Sequence, residues 1–155
     1  MQYSLNQLRE TVGLSVETYR HWKRVLPPLA EKGGRAPCFS IGDFVAASIL
    51  HRLTENAGVR VGHLVDISTE VFRICNASPW ASLIGRTLTV DLEGRTCVVE
   101  PAASIEGANL ALFCRIDPVL AQLRGTLLRD RPDEAQAILL LPPVGVPAAR
   151  RRRRA

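Results

Sequence analysis

The sequence predicts an α+β protein, helical in its first half and mixed in its second, and three observations predict it. Between Leu5 and Ile74, apolar residues recur four times at helical spacing, each time behind a cap or turn residue. From Arg86 to Ile116 the pattern changes to short β-branched runs on either side of the turn signal Glu93-Gly94. The last twelve residues, VGVPAARRRRRA, follow a proline-rich break, and their five contiguous arginines repel one another, which predicts a disordered basic tail. With 155 residues, 46% of them hydrophobic, the chain is long and apolar enough to bury a core. Three regions are expected: 1–77, 78–143 and 144–155.

The elements follow in order. Ser4 opens a capping box, Ser4-x-x-Gln7, and Leu5, Leu8 and Val12 carry a short first helix. Gly13 can take positive φ at its end, Leu14 can plug the core, and Ser15 is a good N-cap for a second helix, Val16 to Leu26. At about 100° per residue, Val16, Tyr19, Trp22 and Leu26 fall on one stripe of that helix, and Glu17, Arg20, His21 and Arg24 on the opposite face. Pro27-Pro28 ends it. Leu29 to Phe39 then suits a short hairpin with its tip at Lys32-Gly33-Gly34-Arg35, a wing. Ser40-x-x-Asp43 starts a third helix on Ile41, Phe44, Val45, Ile49 and Leu53, and Val61 to Asn76 forms a fourth on Leu64, Ile67, Val71 and Ile74.

Two short helices joined by Val12-Gly13-Leu14-Ser15 have the spacing of a helix-turn-helix, in which the first helix braces the second against a major groove. In the second half, Arg86 to Leu92 and Arg95 to Glu100 predict a hairpin, and Asn109 to Ile116 a third strand. Asp117-Pro118 reads as an N-cap with proline at the first helical position, ahead of an amphipathic helix on Val119, Leu120, Leu123, Leu127 and Leu128. Ala137 to Leu141 is a candidate last strand. This small module, 78–143, is expected to serve dimerisation or effector binding, and it needs a surface to pack on, either the fourth helix or a second copy of itself.

Charge supports a nucleic-acid partner only locally. The formal net charge is +5, and Arg150 to Arg154 account for all of it. Within the body, Ser15 to Arg35 carries +3 from Arg20, Lys23, Arg24, Lys32 and Arg35 against Glu17 and Glu31, whereas Asp91 to Glu134 carries −3. The positive stretch coincides with the second helix and the wing.

The order helix-turn-helix, wing, helix, helix resembles the winged-helix DNA-binding domain of the MerR family. The likeness rests on Gly13-Leu14-Ser15-Val16-Glu17-Thr18-Tyr19-Arg20-His21-Trp22, then Leu26-Pro27-Pro28, Gly33-Gly34-Arg35, and Phe39-Ser40 leading to Asp43-Phe44. It covers roughly half the chain, from Tyr3 to Ile74. The family commonly has two tyrosines and an acid after the helix arginine, where this chain has His21, Trp22 and Lys23. It also commonly dimerises through a long coiled coil, and no heptads continue past Asn76 here.

The resemblance implies a sequence-specific transcription regulator that binds duplex DNA by helix and wing, as a homodimer in contact with the transcription machinery. Ser15, Glu17, Thr18, Arg20 and His21 are expected near base edges or adjacent phosphates, Lys23 as a weaker contact, and Arg24, Lys32 and Arg35 on flanking phosphates. Arg150, Arg151, Arg152, Arg153 and Arg154 are expected to attract phosphates without sequence preference. A second reading is an oligomeric assembly or DNA-packaging factor, phage-like, whose DNA contact is secondary.

Other classes find little support. His21, His51 and His63 lie in different helices with no accompanying nucleophile motif, and no phosphate-binding glycine loop is present, so no enzyme activity and no cofactor are expected. Cys38, Cys75, Cys97 and Cys114 have no metal-ligand spacing and read as buried thiols of a reducing compartment. No apolar stretch reaches membrane-spanning length, and a bacterial cytoplasmic or nucleoid location is expected.

Overall fold

The computed structural model describes residues 2–32, 36–101 and 111–127. Its helices are α1 (Leu5–Val12), α2 (Val16–Val25), α3 (Pro27–Ala30), α4 (Ile41–Glu55), α5 (Val65–Ala77), α6 (Trp80–Leu83) and α7 (Asp117–Leu127), with a 3₁₀ turn at Val61–Leu64 leading into α5. The strands are β1 (Arg86–Asp91), β2 (Thr96–Pro101) and β3 (Leu112–Arg115). The architecture is α+β, helices followed by one antiparallel sheet in the order β2-β1-β3.

The local signals work as chemistry dictates. The Ser4 hydroxyl accepts the Gln7 N–H while the Gln7 side chain accepts the Ser4 N–H, which satisfies two donors at the start of α1. Gly13, at φ 87°, turns the chain out of α1 and donates its N–H to Arg9 O at 2.8 Å. Ser15 then caps α2 by accepting the Thr18 N–H at 2.9 Å.

The core is arranged around α4. Its residues Gly42 to Leu50, and Leu53, are buried on every side, with α1, α5 and α7 packed about it. Ala46, Ala47 and Gly42 keep this helix thin enough to be surrounded. At Gly42 a Cβ would lie 2.6 Å from the Cys75 carbonyl oxygen, so α4 and α5 cross at backbone contact. The sequence reading gave this helix one apolar face; the structure surrounds it, because elements from both halves of the chain use it.

Leu88 and Val90 of β1, Cys97 of β2 and Cys114 of β3 line the inner face of the sheet. β2 rests on α5, and α7 rests on α4 and α1. The buried apolar residues of the helical half and of the sheet half belong to a single cluster. Of the two expected packing surfaces for the small module, the fourth helix is therefore used, and the third and first join it.

Several expectations are corrected. Pro27 and Pro28 do end α2, with Leu26 extended, and then begin a new turn, α3, since a proline at the start of a helix lacks only a donor that has no partner there. Leu29 and Ala30 consequently are helical and not the arm of a hairpin, and Phe39 pairs with Tyr3, whose N–H reaches Phe39 O at 2.8 Å. The wing tip at Gly33, Gly34 and Arg35 lies outside the described residues. Val16, placed on the packed stripe by its spacing, is 37% exposed, because the first residue of α2 projects past its brace.

The β1–β2 connection is wider than the two-residue turn expected. Asp91 accepts the N–H groups of Glu93 and Gly94, each at 2.9 Å, and the positive φ falls on Arg95, at 53°. Arg95 in turn meets Asp66 of α5 at 3.0 Å. Asp117 accepts the Gly85 N–H at 2.8 Å and so pins the start of α7 to the entry of β1. Ile116 is fully buried beside this tie. The short helix α6 was not expected, and the candidate strand at Ala137 to Leu141 and the arginine tail lie outside the described residues.

Candidate nucleic-acid interface

Helix α2 is held from behind by two ring contacts of its own, with a third bracing the segment it packs on. Tyr19 and Trp22, 4% and 2% exposed, point into the core together with Leu26. The Tyr19 ring meets Phe39 edge-on at 6.4 Å between centroids, and Trp22 meets His51 of α4 at 6.2 Å. Tyr3 packs on Phe44 at 5.0 Å and carries the Phe39 segment against α2 through the Tyr3–Phe39 pair. Burial, followed by the nearby Cys38, raises the Tyr19 phenol above its ordinary pKa, as suits an anchor that stays neutral.

The outward face is polar and charged. Ser15, Glu17, Arg20, His21 and Arg24 are exposed, and Thr18 and Lys23 are half-buried at its margins. Ser15 and Thr18 are joined by a 2.9 Å hydroxyl contact, so the first turn is rigid. Arg20, Lys23 and Arg24 line a shallow open groove whose floor includes Ala30 of α3. Placing Glu17 in the first turn and Lys23 and Arg24 in the last also complements the helix dipole, so part of this pattern serves the helix itself.

The structure therefore brings together Ser15, Glu17, Thr18, Arg20, His21, Lys23 and Arg24. Lys32 is a correction. Its ammonium turns inward to the carboxylate of Asp43, which is fully buried, and it lies 5.7 Å from the centre of the Phe39 ring. The charge that was expected on phosphate is engaged in holding the loop after α3 to the head of α4. Arg35 and Arg150 to Arg154 lie outside the described residues.

Asp43 is the centre of that tie. One of its oxygens accepts the Ser40 N–H at 2.7 Å and the Lys32 ammonium, and the other accepts the Asn76 amide at 3.0 Å. Asn76 also donates to Phe72 O at 2.9 Å and its carbonyl oxygen accepts the Ser40 hydroxyl. Every lone pair of consequence on this buried carboxylate is met, which a buried charge requires. The Ser40-x-x-Asp43 spacing signalled the cap; the roles of Lys32 and Asn76 carried no local signal, because they reach Asp43 across 11 and 33 positions of sequence.

The other chemically versatile side chains do not join this face. His51 is half-buried behind Trp22 and His63 is exposed in the 3₁₀ turn, on separate elements. Cys75, Cys97 and Cys114 are buried free thiols and Cys38 is a half-buried one. Burial pushes the Cys75 thiol up to about 12 and Cys97 up to about 11. Among the described residues, no three His, Cys, Asp or Glu side chains gather as a metal-holding group, and no helix is long and apolar enough to cross a membrane. Comparison with protein-family models, curated proteins and solved structures finds no match to this chain.

Proposed function

We propose that this protein is a sequence-specific duplex-DNA-binding transcription regulator of MerR-like type, acting in the bacterial cytoplasm, with α2 as the helix that enters the major groove. The observation that supports it most is the pairing of a rigid support with a charged outward face. Tyr19 and Trp22 are locked into the core while Glu17, Arg20, His21 and Arg24 stand outward on one short, capped helix. Arg20, Lys23 and Arg24 around their groove offer guanidinium and ammonium donors to guanine edges or to phosphates.

In this reading Arg20 contacts a base or its adjacent phosphate, Arg24 and Arg35 contact flanking phosphates, and the arginine tail adds attraction without sequence preference. The test is selection of binding sites from random duplex DNA, followed by titration of the selected site in a mobility-shift assay. Arg20→Ala is expected to weaken that site by about 1–3 kcal/mol with the fold unchanged. An unaltered titration removes Arg20 from the interface. Enrichment of no sequence, with binding that disappears when Arg150 to Arg154 are deleted, replaces the regulator with an assembly or DNA-packaging role.

A further inference from the structure

The free edge of β3 faces a cleft. In the order β2-β1-β3 one side of β3 is paired with β1, and among the described residues no strand pairs with the other. The direction of its backbone groups follows from one bond. The Ile116 N–H donates to Arg86 O at 3.0 Å, and these two residues continue the β1–β3 register, so they are a hydrogen-bonded pair. Such pairs recur at every second position, and Leu112 and Cys114 therefore also turn their N–H and C=O groups to β1. Phe113 and Arg115 turn theirs to the free edge, about 6.8 Å apart along the strand. Among the described residues, no backbone group meets them there.

All four residues of β3 line a cleft of about 260 Å³ whose other wall is the end of α4, with Arg52, Leu53 and Ala57. Successive strand residues point to opposite faces, so a cleft that touches all four runs along the edge and not over either face. Among the described residues no carboxylate lines it, and neither Arg52 nor Arg115 forms an ion pair. Arg52 is held by uncharged acceptors on α7, Gln122 Oε1 at 2.9 Å and Pro118 O at 3.5 Å. A guanidinium fixed in this way keeps its charge for a ligand.

These features complement one kind of molecule. Alternating N–H donors and C=O acceptors at strand spacing match another peptide backbone, whereas a nucleic acid or a free anion would use the donors alone. The apolar walls at Leu53, Ala57 and Leu112 suit alternate side chains of an added strand, and the two unneutralised guanidiniums suit acids among them. We infer that the cleft binds an acidic segment of a partner protein in extended form, added to β3 as a fourth strand with a carboxylate on Arg52. The inference rests on the sheet edge and needs no DNA contact.

The experiment is selection from a phage-displayed library of random heptapeptides on the full chain, followed by titration of the enriched peptides made synthetically. Enrichment of sequences that combine apolar and acidic residues is expected. Arg52→Glu is expected to raise the dissociation constant by about tenfold or more. Phe113→Pro, which removes an N–H that faces the cleft and none that faces β1, is expected to do the same with no change of charge and to leave the titration of selected DNA unaltered. Circular dichroism melts check that both variants are folded. Amide exchange followed by NMR in the wild type needs no variant: Phe113 and Arg115 are expected to exchange fast in the free chain and to slow when peptide is added. Enrichment of no acidic sequence overturns the inference, as do bound peptides that leave both amides exchanging as before. Slow exchange of both amides in the free chain overturns it too; if deletion of residues 128–155 then restores fast exchange, the chain's own C-terminal residues occupy the cleft.

Discussion

Helices α2 and α4 lie against the same core and are built on opposite plans. In α2 only Tyr19 and Trp22 are buried, and apart from Val16 and Val25 at its two ends the rest of its surface is charged or polar. In α4 ten residues are buried, and one of them is the charged Asp43. The difference teaches where this protein places stability and where it leaves chemistry free. A helix with one packed stripe can present side chains that contribute nothing to folding, whereas a helix enclosed on all sides has no position to spare.

The sharpest way to break the comparison is at Asp43. Asp43→Ala removes a buried carboxylate, leaves the Lys32 ammonium without that partner and takes one of the two acceptors of the Asn76 amide, and a loss of about 3–5 kcal/mol is expected from urea denaturation. A loss below about 1 kcal/mol would mean that the tie between α3, α4 and α5 is incidental. Gly42→Ala comes next. Its Cβ would meet the carbonyl oxygen of Cys75 at 2.6 Å and the Cα of Asn76 at 2.8 Å, both of them backbone, and a loss of about 1–3 kcal/mol is expected as the two helices part. An unchanged denaturation midpoint would show that α5 can move aside freely.

The thiols around α4 extend the contrast to pH. Burial raises Cys75 to about 12 and Cys97 to about 11 from the ordinary 9.0, so the folded state keeps both protonated where the unfolded chain ionises. The stability they add is complete below pH 9 and is lost as pH rises toward 11 and 12, by at most about 1.4 kcal/mol per pH unit for each thiol. Melting temperatures measured from pH 8 upward are expected to fall more slowly in Cys75→Ala than in the wild type. Alkylation of native protein at pH 8 is expected to label Cys38 ahead of the other three, and labelling of Cys75 at an equal rate contradicts its placement.

The smallest effect belongs to the outward face of α2. Arg20→Ala, His21→Ala and Arg24→Ala are each expected to change folding stability by no more than about 0.5 kcal/mol, since their side chains stand in solvent. A cost near that of Gly42→Ala would assign them a folding role and weaken the case for an interface.

How much was legible follows the range of the interactions. The caps at Ser4, Ser15 and Ser40, the turn at Gly13 and the strands at Arg86–Asp91 and Thr96–Pro101 are readable because each depends on residues within about four positions of one another. The outward set on α2 was readable for the same reason, since a helix face follows from spacing alone. Lys32 was misjudged because a lysine beside glycines reads as exposed, and the partner that draws it inward, Asp43, lies on the next helix. The hairpin arms around it failed likewise. Phe39 found its strand partner in Tyr3, 36 positions back, and Leu29 became helical behind two prolines whose stop signal is also a start signal.

By itself, the sequence determined the α+β class, the order of most elements and the two faces of α2, all consequences of short-range periodicity and capping. The tertiary structure alone decided that α4 is enclosed, that Asp43 gathers Lys32, Ser40 and Asn76, and that the sheet shares the core of the helical half. It also decided that the free edge of β3 faces the end of α4. The physical reason is common to these. Packing and buried-charge pairing depend on what the chain brings together from distant positions, and that is set by the mutual fit of whole elements, which no local spacing encodes.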